Sequence, residues 1–329
     1  MNLKDRLYLA VCLLPVALSA VAQGPPPAIG PSVIVDGIAQ GQSMRLIAYG
    51  DNRFTDPSNT SDTNPRVRQY LINQIAAEKP LAIFLTGDTP FTGAAPADWK
   101  IYQQETAAWR IEHIHVFPTI GNHDVKGGYK EGIANYRDNF PEIRGYLYYS
   151  AQIGNVYLIS LDGTRPSGPG SPQRTWLQSQ LEHLPANVDF VFLLDHMPWM
   201  ADVQSQIAAS LPETNEISLR SLLEDEVPKV HAKFIVVNGH IHNYERFERN
   251  GITYLVSGGG GATPYPVLIR GLEDLYRDPD PKKQPPIINY HYLVIQITGK
   301  HAEITMHRVA DPGAETLSLE IRDSFTLEK

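Results

Sequence analysis

Five short apolar runs in this chain each end in a small group of metal-binding side chains, and that repetition constrains the fold more than any bulk property. The runs are Arg45 to Asp51 (RLIAYGD), Leu81 to Asp88 (LAIFLTGD), Val116 to Asp124 (VFPTIGNHD), Phe190 to His196 (FVFLLDH) and Phe234 to His242 (FIVVNGHIH). Segments of this length, rich in Val, Ile and Phe and often closed by Gly, read as buried strands, and open α/β sheets collect ligands at the carboxyl ends of their strands. Five distant segments can therefore converge on one place. Two Asp, one Asn and three His are oxygen and imidazole donors, a set suited to Zn, Mn or Fe rather than to a thiolate-seeking metal. The simplest chemistry they suggest is two-metal hydrolysis.

The rest of the chain completes an α/β pattern. Val67, Leu71 and Ile75 share one helical face between the first two strands; a second helix is expected from Ala97 to Trp109 and a third from Ser171 to Leu184. Leu147 to Gln152 and Val156 to Leu161 flank Ile153-Gly154-Asn155 as a hairpin, and Ile252 to Ser257, Tyr292 to Thr298 and Ala302 to Val309 read as further strands. Two mixed β-sheets enclosed by helices accommodate both the βαβ units and these antiparallel additions. The stretch from Pro264 to Pro286 is a long irregular excursion placed to rim a site.

At the N-terminus, Lys4 and Arg6 precede an apolar stretch from Leu7 to Leu18, and Ala20 and Ala22 supply a small-x-small cleavage pattern. Residues 1–22 are thus expected to be a signal peptide, with 23–42 a proline-rich extended lead-in and 43–329 a single domain. The apolar stretch is too short to span a bilayer comfortably, so stable membrane insertion after cleavage is not expected. The one cysteine, Cys12, lies inside the removed segment, which leaves no disulfide and no thiol nucleophile. A periplasmic or secreted location follows as an expectation. With a formal net charge of -8 and no basic stripe, nucleic acid is not expected as a partner, while a small anionic substrate stays compatible with a metal pair.

Gly50-Asp51, Gly87-Asp88, Gly121-Asn122-His123-Asp124, the isolated His196 and Gly239-His240-Ile241-His242, in that order, resemble the signature of the calcineurin-like metallophosphoesterase superfamily. The stretch His240 to Arg246 and the glycine run Gly258 to Gly261 are particularly similar to its purple acid phosphatase branch. The resemblance implies a four-layer αββα sandwich and two metal ions (Fe, Mn or Zn) at the strand ends. It implies a metal-hydroxide attack on a small phosphorylated substrate, a phosphomonoester by preference, with a phosphodiester or a non-catalytic binding role as alternatives. By similarity Asp88 bridges the ions, Asp51 and His242 serve the first, and Asn122, His196 and His240 serve the second. His123 is the group that assists the leaving oxygen, and Asp124 the acceptor that orients His123.

Two departures bear on the first ion. The superfamily's Asp-x-His is Asp51-Asn52-Arg53 here, and the tyrosine that purple acid phosphatases place three residues after the second Asp is Phe91. If the strand stays extended, Arg53 points the same way as Asp51. It then either clamps a phosphate oxygen with its planar fork or neutralises a carboxylate at a poorly occupied metal position. His240 and His242, two apart on an extended strand end, are expected to face the same way. Elsewhere the bland reading is preferred: Asp162 and Asp195 as caps or solvated loop residues, His113, His115, His183, His231, His291, His301 and His307 as surface, packing or loop residues, and Trp99, Trp109, Trp176 and Trp199 as packing. Gly258 to Gly261 lacks a P-loop ending and reads as a close backbone turn beside the metals.

Overall fold

The computed structural model describes residues 24–39, 41–202, 205, 214–265, 273–276 and 288–329. The expected signal peptide, and most of the excursion between Pro264 and Pro286, lie outside the described residues. In chain order the elements are β1 (Val33–Val35), β2 (Met44–Tyr49), α1 (Pro65–Ala77), β3 (Ala82–Leu85), α2 (Pro96–Glu105), α3 (Ala107–Ile111), β4 (His115–Pro118), α4 (Tyr129–Asn139), β5 (Tyr149–Ile153), β6 (Val156–Ser160), α5 (Pro172–Glu182), β7 (Phe190–Asp195), α6 (Thr214–Glu226), β8 (Lys233–Asn238), β9 (Tyr244–Arg249), β10 (Ile252–Ser257), β11 (His291–Thr298), β12 (His301–Val309) and β13 (Leu319–Glu328).

Two mixed sheets result, ordered β1-β5-β6-β7-β8-β10-β9 and β13-β12-β11-β2-β3-β4. Each contains a parallel block, β6-β7-β8-β10 in one and β2-β3-β4 in the other, edged by antiparallel strands. The period-two alternation of a strand sorts the apolar residues between layers. Leu158, Phe192, Leu194, Ile235 and Val237 turn inward to the core between the sheets, where the rings of Phe84 and Phe192 meet at 5.7 Å across the two sheets. Their neighbours Tyr157, Ile159, Val191, Leu193, Phe234 and Val236 turn outward onto Trp176, Leu177 and Leu181 of α5 and Leu219, Leu222 and Leu223 of α6. The Val67, Leu71 and Ile75 face of α1 is fully buried on the other side. A fully buried side chain of this kind contributes about 1.5–3 kcal/mol relative to exposure. The layers are therefore helix, sheet, sheet, helix, as the motif order implied.

Local signals account for the helix starts. Pro65 and Pro172 occupy first helical turns, where a missing N–H is harmless, and the side chains of Asn64 and Ser171 accept from the amides of Val67 at 3.1 Å and Arg174 at 3.3 Å. The single helix expected from Ala97 to Trp109 is instead two, broken at Thr106. That buried hydroxyl bonds back to the Tyr102 carbonyl at 2.6 Å, a contact that competes with the helical ladder. The lead-in also differs from expectation. Val33 to Val35 pairs in parallel with β5, and the carbonyl of Pro27 accepts from Trp176 Nε1 at 2.8 Å, so this segment is tied to the sheet edge.

Candidate metal centre

The carboxyl ends of β2, β3 and β4 in one sheet and of β7 and β8 in the other face a common space. Asp51, Asp88 and His196 offer ligand atoms that all lie within 4.8 Å of one another, and all three residues are buried. The loops after β2 and β3 interlock through Asp51 N to Gly87 O and Arg53 N to Asp88 O, both 3.0 Å. Glycine permits the closeness. A Cβ on Gly239 would stand 2.5 Å from an Asp51 carboxylate oxygen, and one on Gly121 would stand 2.4 Å from Asp88 Oδ1. The run Gly258 to Gly261 is likewise a close backbone turn, Gly258 lying against Asp51 and the Ile241 carbonyl.

Backbone conformation departs from the extended strand ends expected for two motifs. Asp51, Arg53, Asp88 and His240 all have positive φ, at 55°, 46°, 53° and 66°. Left-handed backbone at non-glycine residues costs on the order of 1–3 kcal/mol each and persists where surrounding contacts over-determine it. His240 and His242 consequently do not share a strand face. His240 Nδ1 lies 3.2 Å from Asn122 Oδ1, whereas His242 Nε2 lies 3.5 Å from Asp51 Oδ1. Arg53 does reach toward the site, but through a left-handed turn rather than an extended strand.

On one side of the site, His196 Nε2 is 3.3 Å from Asp88 Oδ1 and 3.1 Å from Asn122 Oδ1. On the other lie Asp51, His242 and Arg53, whose Nη2 is 3.3 Å from Asp88 Oδ2. Three histidines are held by backbone carbonyls at Nδ1: His196 by Thr86 at 2.9 Å, His242 by Thr263 at 2.7 Å and His123 by Phe91 at 2.6 Å. A carbonyl only accepts, so each Nδ1 carries the proton and each Nε2 is left as a lone-pair donor turned inward. His242 Nε2 is buried without a hydrogen-bond partner. An orphaned imidazole nitrogen facing paired carboxylates fits a cation, and the donor set is one that Zn, Mn or Fe accepts.

Burial, and then the Asp88 charge, push the Asp51 carboxyl well above the ordinary carboxylate range. Burial acts on Asp88 in the same direction, but the His196, His123 and Arg53 charges outweigh it and hold that carboxyl low. Burial, reinforced by Arg53, takes His242 down to about 3, and burial takes His123 to about 4 against the pull of Asp88. His242 and His123 are thus neutral around pH 7, the state in which an imidazole nitrogen can offer its lone pair.

His123 sits with Nε2 4.0 Å from Asp88 Oδ2 and its ring 5.4 Å from that of Phe91. The orienting role expected of Asp124 falls to the Phe91 carbonyl. Asp124 instead accepts from the amides of Gly121 at 2.7 Å, Asp88 at 2.9 Å and Thr89 at 3.3 Å, tying the third motif to the second. Asp162 and Asp195 are buried rather than solvated, and Asp195 accepts from Trp199 Nε1 at 2.9 Å within the packing under α6. Sequence reasoning missed Tyr265, whose ring stacks on His242 at 4.6 Å and 3°. It also missed the carbonyl partners Thr86, Thr263 and Phe91, because any residue supplies a carbonyl.

A two-sheet sandwich with oxygen and imidazole donors gathered at the strand ends is the architecture of a metallophosphoesterase. The model of the calcineurin-like phosphoesterase family matches residues 44–259, and the chain belongs to that family. It is 30% identical over 145 residues to probable purple acid phosphatase 20 of Arabidopsis thaliana, an alignment that spans 41% of this chain and 31% of that protein. Purple acid phosphatase 21 of the same plant is 27% identical over 209 residues, 58% of this chain and 46% of its own length. The chain thus spans less than half of either relative. Among solved structures, a purple acid phosphatase from seeds of yellow lupin (Lupinus luteus) superposes with a TM-score of 0.63 at 16% identity, over 90% of this chain and 56% of its own. A dimetal phosphatase from Danio rerio gives 0.54 at 12% identity, over 87% and 98%. At these identities the two structures speak for the fold alone. No helix among the described residues is long and apolar enough to cross a membrane.

Proposed function

We propose that this chain is an exported, metal-dependent phosphatase that hydrolyses small phosphomonoesters. The observation that carries the reading is the set of inward-facing imidazole nitrogens, fixed by carbonyls at Nδ1, around the Asp51, Asp88 and His196 cluster. Asp88, Asn122, His196 and His240 would hold one ion, and Asp51 and His242 line the other side. Bound ions supply positive charge against the phosphoryl oxygens and make water a competent nucleophile at neutral pH. The chain's own residues do the rest. The Phe91 carbonyl fixes the His123 ring so that Nε2 faces the substrate, where, once protonated, it donates to the departing alkoxide. Asp124 keeps the loop that carries Asn122 and His123 locked onto the Asp88 loop, so that leaving-group assistance and phosphate binding stay in register. The acidic net charge and the absence of a basic stripe in the sequence favour a small substrate over nucleic acid. Export is supported by the charged, apolar and small-residue pattern of residues 1–22.

The test is turnover of p-nitrophenyl phosphate and of bis(p-nitrophenyl) phosphate by protein stripped with a chelator and replenished with Mn, Zn or Fe. Loss on stripping, recovery on replenishment and faster turnover of the monoester are expected. Preference for the diester would make it a phosphodiesterase, and no turnover by metal-loaded protein would leave a binding role on this fold. N-terminal sequencing of protein recovered from the periplasm or medium should begin at Gln23; retention of Met1 in the cytoplasmic fraction would refute export.

A further inference from the structure

The two oxygens of Asp88 are not equivalent. Oδ1 faces His196 Nε2 at 3.3 Å and accepts the His123 amide at 2.8 Å. Oδ2, the oxygen a bridging carboxylate would offer to an ion on the Asp51 side, faces Arg53 Nη2 at 3.3 Å. That guanidinium is held in place. The Arg53 amide donates to the Asp88 carbonyl at 3.0 Å, and its own carbonyl accepts from Arg68 Nη1 at 3.1 Å. Arg68 is fully buried and engages Glu105 twice, at 2.9 and 2.8 Å, so the turn that carries Arg53 is fixed from below. The Arg53 side chain is 15% exposed, and its Nε is buried without a hydrogen-bond partner. Its charge also acts on Asp51 and on His242, the other donors of that side.

A divalent ion on the Asp51 side would have to share Asp88 with a permanent cation. Like charges a few ångströms apart in a site screened less than bulk water repel, so the two positive charges compete for one position. The missing His and the phenylalanine at position 91 remove two ligands that would help a metal to win. We infer that Arg53 is the resident cation of the Asp51 side: the centre holds one metal ion tightly, on Asn122, His196 and His240, and the guanidinium stands in for the second. Being planar and permanently charged, it can turn its free edge to a phosphate oxygen while its other edge stays on Asp88. The inference rests on the metal reading of the site proposed above.

Metal content decides it without recourse to turnover. Stripped protein is reloaded with excess manganese, desalted and assayed by mass spectrometry for ions per chain, and titrated by calorimetry with the same ion. Wild type should retain about one ion per chain, with a second binding at least about a hundredfold more weakly; Arg53→Ala should tighten that weaker step by about tenfold or more, since the repulsion is then removed. Arg53→His, which restores Asp-x-His, should retain about two ions after desalting, because it exchanges a competing charge for a ligand. The electron paramagnetic resonance spectrum should change in parallel, from isolated manganese in wild type to a coupled pair in Arg53→His. Two equally tight ions in wild type, or weak-step affinities that Arg53→Ala and Arg53→His leave unchanged, would overturn the inference. Protein that retains no ion at all would overturn both it and the metal reading. Full metal binding without hydrolysis of any ester would refute the phosphatase reading alone, since the stoichiometries still decide the role of Arg53.

Discussion

The two sides of the centre are built differently although they share Asp88. On the His196 side, three donors arrive from the ends of β4, β7 and β8, and Asn122 Oδ1 sits within 3.2 Å of nitrogens from both His196 and His240. On the Asp51 side, Asp51 and Arg53 stand on left-handed backbone, His242 Nε2 has no hydrogen-bond partner, and a guanidinium occupies the approach to Asp88. The first side resembles a preformed cage. The second is a pocket whose positive charge is covalently part of the chain. The contrast teaches that a metal signature can be complete in one half and rewritten in the other while the sandwich that displays it is unchanged.

If that contrast is right, the largest loss comes from the His196 side. His196→Ala removes a donor that the Thr86 carbonyl pre-orients. Losing charge stabilisation of several kcal/mol corresponds to a fall in kcat of about a thousandfold or more. A folded variant with near-normal turnover would remove the distinction between the two sides. Next in size is His123→Ala, expected to keep the metal and lower kcat by about a hundredfold, most steeply for esters with poor leaving groups. A loss of equal size across a leaving-group series would assign His123 to positioning alone. On the Asp51 side, His242→Ala should cost only about tenfold, at the lower end of what perturbing a metal's surroundings does, because Arg53 still neutralises Asp88. A His242→Ala loss as deep as that of His196→Ala would show that both sides hold essential ions.

Much of this division was legible in the sequence, and the reasons are physical. Strands buried on both faces read as apolar runs, so all five runs emerge as strands, and side chains at their ends carry chemistry that residue type alone declares. The hairpin β5-β6 and the face of α1 were equally plain, because period and turn chemistry agree. Five elements escaped: the short edge strand β1, read as lead-in, the helices α4 and α6, and the strands β9 and β13. Helix α4 carries Gly132 in its second turn and few apolar residues, yet the glycine is needed where a Cβ would meet the Asp124 carbonyl at 2.5 Å. Strands β9 and β13 are rich in charge, since one ends in exposed Glu248 and Arg249 and the other alternates at a sheet edge. The geometry of Asp51, Arg53 and His240 escaped as well. Left-handed backbone there is imposed by long-range contacts such as Arg68 with the Arg53 carbonyl, which local sequence does not encode.

The smallest effect on turnover is expected behind the Asp51 side, in the wall that the glycine run forms, where the consequence is one of stability. His291 is buried against that run, its amide donating to the Gly259 carbonyl at 3.0 Å and its Nε2 lying 3.0 Å from Ser257 Oγ. Its Nδ1 faces the Asn289 carbonyl at 3.0 Å, which fixes the neutral tautomer with the proton on Nδ1. Burial takes the imidazole down to about 4 from an ordinary value of 6.5, with the Arg308 charge acting in the same direction and the Asn289 carbonyl opposing. Between those two values the unfolded chain binds a proton that the folded chain refuses. Stability from this group is therefore complete above pH 6.5 and falls as pH drops toward 4, by up to about 3 kcal/mol at about 1.36 kcal/mol per unit. His291→Gln keeps polar atoms in the cavity without the titration. The difference in unfolding free energy between wild type and His291→Gln, measured by urea at pH 7 and at pH 4.5, should shift in favour of the variant at the lower pH. A difference independent of pH would mean that the imidazole titrates normally when folded, and that the wall behind Asp51 is open to water and not the dry support that holds that side in place.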